Sequence, residues 1–167
     1  MANWCSNWVI FQGDENALGN IRELFSGMKA KEESTGHGQL PEFTDTDGGY
    51  FFNIYFEEDE LCVYQYETKW APNTEALVSI AKHYGAAFTQ DYEESGCLVF
   101  GKAKFEDGLL EDICLDNDDF DAYVYDDEQD AYYFEGETYE SNLEILETLL
   151  ERKARINDIE VQADESL

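Results

Sequence analysis

The side chains in this sequence that are most able to bind a partner or an ion are carboxylates, and they are concentrated between Glu106 and Glu151. That stretch contains 18 Asp and Glu residues and no Lys, Arg or His. Four of its glutamates recur at helical spacing, which would place them on one helix face about 5 Å apart along the axis. A solvated helix usually alternates Glu with Lys, so the pattern favours a surface that meets a positively charged partner. The residues predicted to bind that partner are Asp118, Asp121, Asp126, Asp127, Asp130, Glu140, Glu144, Glu147 and Glu151.

Metal binding is a second chemistry that clustered carboxylates could support. A calcium-binding EF-hand loop needs glycine at its sixth position and glutamate at its twelfth. Neither "DTDGGY" at 45–50 nor "DNDDFDAY" at 116–123 supplies that pattern. The four cysteines and two histidines also lack the CxxC and HxxxH spacings typical of zinc sites. We therefore expect no metal and no cofactor.

Cysteine chemistry is the remaining catalytic possibility. Cys5 could be exposed, but a thiol nucleophile needs a basic partner and a lowered pKa, and neither His37 nor His83 can be placed beside it. Cys62 and Cys97 lie in apolar strand segments and are predicted to be buried small hydrophobic residues. Because no acid–base pair or nucleophile arrangement stands out, we expect that the protein is not an enzyme.

The three tryptophans, Trp4, Trp8 and Trp70, offer two interpretations. Each indole supplies a large flat face with one hydrogen-bond donor, so the three could line a ligand pocket. More often such residues pack helices onto a sheet, and we expect them in the core.

The overall charge limits the classes of partner. The formal net charge is −29 and the pI is about 4.1, which repels nucleic acid and anionic membrane surfaces. A high-salt environment, cation binding and a basic protein partner remain as explanations. Hydrophobic residues make up 43% of the chain, so a folded core is expected. The start "MANWCSNWVIF" lacks the features of a secretory signal and no stretch is long and apolar enough to span a membrane, which favours a cytoplasmic protein with free thiols.

The elements that must position these residues follow from periodicity and from turn residues. Residues 3–13 alternate like a strand, and Asp14 can cap a helix that runs to about Lys31. After a long loop at 33–49, residues 50–58 and 60–70 form a predicted hairpin, and Pro72 can open a helix to about Tyr84, ended by Gly85. Residues 86–94 and 97–105 form a second hairpin. The order through Phe105 predicts an α+β fold with a ferredoxin-like split βαβ sheet and two helices.

Three short segments support this fold through a family resemblance. "NWCSN" at 3–7, "TKWAP" at 68–72 and "YEESG" at 92–96 resemble the YubB-type ferredoxin-like domain family of bacteria, plasmids and phages. The resemblance covers about residues 1–105 and implies the fold and a mobile-element context. The family has no established activity, so the resemblance supplies no catalytic residues.

The C-terminal part departs from that pattern and is expected to elaborate the same domain. Residues 106–157 are predicted to form acidic strands at 121–127 and 130–137 and a helix from about 140, and residues 158–167 a flexible tail. The helix should bury Leu143, Leu146, Leu149 and Leu150.

The function expected from these features is a non-catalytic acidic interaction protein. The favoured hypothesis is a DNA mimic, an inhibitor from an anti-defence context that occupies the nucleic-acid site of a basic partner. The alternative is a ligand- or protein-binding module whose acidity serves solubility. The sequence leaves the oligomeric state open.

Overall fold

The computed structural model describes residues 3–60 and 62–164, and the side chains as far as residue 158. The chain divides into two compact units, Met1–Asp112 and Ile113–Leu167, called unit 1 and unit 2 below. The sequence predicted a boundary between residues 105 and 106 within one domain, whereas the boundary between the two compact units lies between residues 112 and 113 of the chain. The difference arises because an additional strand pairs with the first sheet.

Unit 1 is built on an antiparallel sheet. The elements are β1 Trp4–Gln12, α1 Glu15–Thr35, β2 Phe52–Tyr55, β3 Val63–Lys69, α2 Thr74–Tyr84, β4 Ala87–Glu94, β5 Val99–Glu106 and β6 Leu109–Cys114. In the described residues, the strand order is β2-β3-β1-β4-β5-β6, and the pairs β2–β3, β3–β1, β1–β4 and β4–β5 are antiparallel. With its helices the unit is an α+β fold, as predicted.

Strand β1 separates its residues into two faces, as its alternation predicted. Cys5, Val9 and Phe11 are buried in a core that includes residues of α1 and α2. Trp4 and Trp8 point to the other face and are 39% and 46% exposed. Trp70, just after β3, is 51% exposed. The prediction that the tryptophans lie in the core is therefore wrong, because the buried set of β1 is the one that begins at Cys5.

The helix ends follow local chemistry. The Asp14 side chain accepts a hydrogen bond from the Ala17 amide at 2.7 Å, which confirms the predicted cap of α1. Helix α1 continues beyond the predicted end at Lys31 and stops at Gly36, which takes the left-handed conformation with φ 70°. Gly85 ends α2 in the same way.

The loop between α1 and β2 is tied to unit 1 by specific contacts. Gln39 and Phe51 form an antiparallel bridge with backbone hydrogen bonds of 2.8 and 2.9 Å. The Phe43 ring stacks on the His83 ring at a centroid distance of 3.9 Å. His83 is thus engaged in packing against the loop.

Strand β6 was not predicted, although the sequence contains a signal for it. Asp107 and Gly108 both have positive φ, 51° and 80°, which is the geometry of a type I′ hairpin turn. An Asp-Gly pair between two strands is a strong hairpin signal. The acidic residues around it were instead assigned to the C-terminal elaboration.

The elements of unit 2 are α3 Asn117–Phe120, β7 Val124–Asp126, β8 Ala131–Phe134, β9 Glu137–Tyr139 and α4 Leu143–Asp164. In its described part, the three strands form an antiparallel sheet in the order β7-β8-β9. Glu135 and Gly136 make a second positive-φ turn, which leads into β9, a strand that the sequence did not predict.

Helix α4 differs from its prediction at both ends. It begins at Leu143, which is exposed, and Ile145 takes the fully buried position, together with Leu146 and Leu149 as predicted. The helix continues to Asp164, into the predicted flexible tail, and residues 165–167 of that tail lie outside the described residues. Across the described helices of both units, none is both long and apolar enough to cross a membrane.

Candidate functional site

All nine residues predicted to bind a partner lie in unit 2, where eight are exposed and Asp126 is half-buried. Two of the three bases of this unit, Arg152 and Lys153, bind acids outside the predicted set. Arg152 donates two hydrogen bonds to the Glu135 carboxylate, at 2.6 and 2.9 Å. Lys153 contacts Asp116 at 2.6 Å and Asp119 at 2.7 Å. Of the nine predicted residues only Glu151 has a cation within 4 Å in the described structure, Arg155 at 3.9 Å.

These ion pairs stabilise the fold of unit 2. Asp116 and Asp119 form a reciprocal capping box at the start of α3, and Lys153 joins that box to α4. The hydrogen bond from Lys153 lowers the pKa of Asp116, and the one from Arg152 lowers the pKa of Glu135. The bases are thus used internally, and they leave the remaining carboxylates uncompensated.

The predicted stripe of four helical glutamates is only partly formed. Glu140 precedes α4, so only Glu144, Glu147 and Glu151 lie on the helix. Glu140 instead lines an open concavity of about 470 Å³ with Glu144 and Glu137. Sequence reasoning placed Glu137 at the end of the predicted strand 130–137 and left it out of the binding set, whereas it begins the separate strand β9. The structure therefore brings three carboxylates of different elements to one concave surface.

The acids of the β7–β8 turn have structural contacts. The Asp126 carboxylate accepts from the backbone amides of Glu128 and Gln129, at 2.9 and 3.2 Å. Asp130 accepts from the Tyr125 hydroxyl at 2.7 Å, and this hydrogen bond raises the pKa of Tyr125 to about 12. Asp126 and Asp130 thus shape the turn.

Two of the four cysteines, Cys5 and Cys97, have raised pKa values. Cys5 is fully buried, contrary to the expectation that it could be exposed, and burial raises its pKa to about 11. Cys97 is exposed in the turn after β4, contrary to its predicted burial, while Cys62 is half-buried. The hydrogen bond between the Cys97 thiol and the Glu94 carboxylate raises the pKa of that thiol. Both shifts keep the thiol protonated, the opposite of what a nucleophile needs.

The three segments that carry the family resemblance meet at one end of the sheet. The start of β1 lies between the ends of β3 and β4, because β1 is antiparallel to both. The Trp70 amide donates to the Asn3 carbonyl at 2.9 Å, and the Asn3 side-chain amide lies 3.2 Å from Cys97 Sγ. A Cβ at Gly96 would come within 3.0 Å of the ends of the Asn3 and Glu94 side chains, so a larger residue there would displace them.

The exposed face of the unit 1 sheet carries aromatic residues. Trp4 packs edge-on against Phe52 at 5.0 Å, and Lys69 Nζ lies 5.9 Å from the Trp4 ring. These three residues line an open cavity of about 590 Å³ with Lys29 and Glu32. Trp4 therefore lines a cavity, which is the position that the alternative interpretation of the tryptophans requires. Among the described residues, no cluster of three or more His, Cys, Asp or Glu side chains is arranged to hold a metal ion.

Comparison with known proteins identifies one family. No curated protein and no solved structure matches the chain. The family model for the ferredoxin-like domain in Api92-like protein matches residues 50–135, just over half of the chain. The match begins after α1 and extends through β8 of unit 2, beyond the region of the sequence resemblance. The chain therefore belongs to the family of ferredoxin-like domains of Api92-like proteins.

Proposed function

We propose that the protein is a non-catalytic interaction protein whose unit 2 presents an acidic surface to a basic, nucleic-acid-binding protein, as a mimic of DNA. The observation that carries this proposal is the charge arrangement of unit 2. Its sequence has 18 acids and three bases, and Arg152 and Lys153 bind Glu135, Asp116 and Asp119 within the unit. The exposed carboxylates that remain attract a cationic surface.

The carboxylates of α4 form a row of repeated negative charge on one helix face, and this row supports DNA mimicry. Along α4, Glu144, Glu147 and Glu151 are separated by about 4.5 and 6 Å of helix axis, and a DNA strand has one phosphate per about 3.4 Å. Glu137 and Glu140 continue the charge beyond the helix start. A cleft that binds DNA would release counterions on binding this surface, as it does on binding phosphates.

The sequence resemblance to the YubB-type family suggests that the protein is encoded by a mobile element. In that setting an acidic inhibitor would act in the cytoplasm against a host or competing factor. We also infer that unit 1 has the split βαβ arrangement, because β1 and β2 both neighbour β3 and are joined through α1.

The test replaces the four glutamates of the predicted stripe, Glu140, Glu144, Glu147 and Glu151, by glutamine. Partners are first captured from lysate of the host, and the affinity of one DNA-binding partner is then measured across a salt series. We expect the variant to bind more weakly and with a flatter salt dependence, because fewer counterions are released. Added duplex DNA should compete with the wild-type protein for the partner.

A matched control removes the same charge from unit 1. Glu15, Glu23, Glu33 and Glu75 are exposed on α1 and α2, and replacing them by glutamine should leave the affinity nearly unchanged. If the two quadruple variants bind alike, or if duplex DNA and the protein bind the partner together, the mimic hypothesis is wrong.

The alternative function is a ligand-binding module, and the cavity between Trp4, Phe52 and Lys69 favours it. Aromatic faces beside an ammonium group suit a small planar ligand with an anionic group. Binding that survives the unit 2 substitutions but is lost in Lys69→Met would support this module over the mimic.

A further inference from the structure

A second concave site lies on the exposed face of unit 1, and its position follows from strand register. Tyr55 on β2 pairs with Gln65 on β3, Gln65 pairs with Trp8 on β1, and Trp8 pairs with Asp91 on β4. These residues form a row across the sheet. Neighbouring strands are about 4.8 Å apart, so the backbones of Tyr55 and Trp8 are separated by about 10 Å, with Gln65 between them.

The row borders a cavity of about 230 Å³. Tyr55 and Trp8 stand on opposite sides of it, and Gln65 and Val63 lie between them on β3. A flat group stacked between two rings needs about 7 to 8 Å. The lining is completed by one further aromatic residue and two carboxylates, Phe56, Glu57 and Glu60.

The charge around the cavity is negative. The turn after β2 contains Glu57, Glu58, Asp59 and Glu60, all exposed. Arg22 lies 4.0 Å from the Phe56 ring and donates to the backbone carbonyls of Glu57 and Glu60, so its hydrogen bonds do not use their carboxylates. Lys29 Nζ also lies 5.1 Å from the Phe56 ring, and the Glu57 carboxylate accepts from the Tyr55 hydroxyl at 2.7 Å. Four carboxylates against the two cations Arg22 and Lys29 leave a net negative charge at this end of the sheet, which is complementary to a cation.

We propose that this cavity binds the guanidinium group of an arginine side chain carried by a partner protein. A guanidinium is flat and stacks on aromatic rings, and its five donors suit the carboxylates of Glu57 and Glu60 and the amide oxygen of Gln65. A quaternary ammonium ion has no donors and would make no hydrogen bond to these groups. Lysine offers donors but no flat face.

This site does not depend on the proposed function, because it uses unit 1 residues and a single guanidinium rather than an extended basic surface. Within the described residues, Trp8 has no cation and no second ring packed on its indole. Trp4 on the same strand has the protein's own Lys69 beside it, so the sheet face already places a cation beside an indole.

The test titrates the 15N-labelled full chain with Nα-acetyl-arginine methylamide and follows the three indole N–H signals by NMR. The signals are assigned with single Trp→Phe variants. We expect a saturable shift of the Trp8 signal and no matching shift of Trp70. The lysine analogue and tetramethylammonium should bind more weakly.

Two charge-matched variants distinguish binding in this cavity from non-specific electrostatic attraction to the acidic protein. Glu57→Gln with Glu60→Gln removes the lining carboxylates and should weaken binding about fivefold or more. Glu58→Gln with Asp59→Asn removes the same charge from the same turn outside the lining and should retain most of the affinity. The NMR spectrum itself shows whether each variant is folded.

The proposal is overturned if the Trp8 signal does not saturate, if Trp70 shifts in parallel, or if the two double variants bind alike. A unit 2 variant with the four glutamine substitutions should bind the arginine derivative as the wild type does. Loss of binding in that variant would show that the overall negative charge attracts the arginine derivative, and it would also overturn the proposed site.

Discussion

A buried polar network beneath β1 provides a quantitative test of the fold. Asn7 and Gln90 are 3% and 0% exposed. The Asn7 amide donates to the Cys5 carbonyl and to the Thr68 hydroxyl, each at 2.9 Å, and its oxygen accepts from Gln90 at 2.9 Å. Gln90 in turn accepts from the Thr74 hydroxyl at 2.9 Å. The network links β1, β3 and β4 to the start of α2.

Replacement of Asn7 by alanine should destabilise unit 1 substantially. The substitution removes three hydrogen bonds and leaves the Gln90 amide without its acceptor inside the core. A buried unsatisfied group costs about 1 to 3 kcal/mol, and each lost hydrogen bond about 1 kcal/mol, with partial overlap between the terms. We expect the free energy of unfolding to fall by about 3 kcal/mol.

The assay is urea unfolding followed by tryptophan fluorescence. All three tryptophans lie in unit 1, so their emission reports on that unit. With a urea slope of about 1.5 kcal/mol per molar, the midpoint should fall by about 2 M. Gln90→Ala should have a similar effect, and the double variant should cost less than the sum because the two side chains share one hydrogen bond.

The control is Ser6→Ala, on the exposed face of the same strand, which should change stability by less than about 0.5 kcal/mol. An Asn7→Ala variant within that range would refute the argument. So would strict additivity with Gln90→Ala, because the two side chains would then be energetically independent.

Three further outcomes are expected. Trp70 has φ 72°, so Trp70→Gly should be more stable than Trp70→Ala by about 1 kcal/mol in urea, and equal midpoints would exclude backbone strain there. Iodoacetamide at about pH 8 should modify exposed Cys97 in the native protein, while Cys5, buried with a pKa of about 11, should react only after unfolding; mass spectrometry that finds equal rates would contradict this. The pKa of Asp116 is lowered mainly by its hydrogen bond from Lys153, so this pair stabilises unit 2 above the unfolded carboxyl pKa and loses its effect as the pH falls through the lowered folded pKa. Lys153→Met should remove that contribution between about pH 5 and pH 2, and NMR of unit 2 that shows identical acid unfolding for both proteins would disprove it.

Local chemistry made much of the secondary structure predictable. The alternation in residues 4–11 defines the two faces of β1, and Asp14 and Gly85 mark helix ends through their own side-chain and backbone preferences. Two turns with positive φ, at Asp107 and Glu135, were equally local but were missed. Their acidic surroundings suggested an irregular charged segment, although each contains the glycine that such a turn favours.

Other features depend on contacts between distant residues. Alternation shows that Trp8 and Cys5 lie on opposite faces of β1, but only packing against α1 and α2 decides that the Cys5 face is buried. In the same way, the sequence shows that unit 2 is acidic but not which carboxylates its bases neutralise.

What the sequence by itself determined is the amount of charge, the strand and helix periodicities and the principal caps, because these depend on composition and on neighbours within a few residues. The tertiary structure alone decided that Arg152 binds Glu135 and Lys153 binds Asp116, across 17 and 37 residues of chain. It also placed Tyr55 and Trp8 on either side of Gln65. These pairings follow from strand register and helix docking, which are set by the packing of side chains far apart in the sequence.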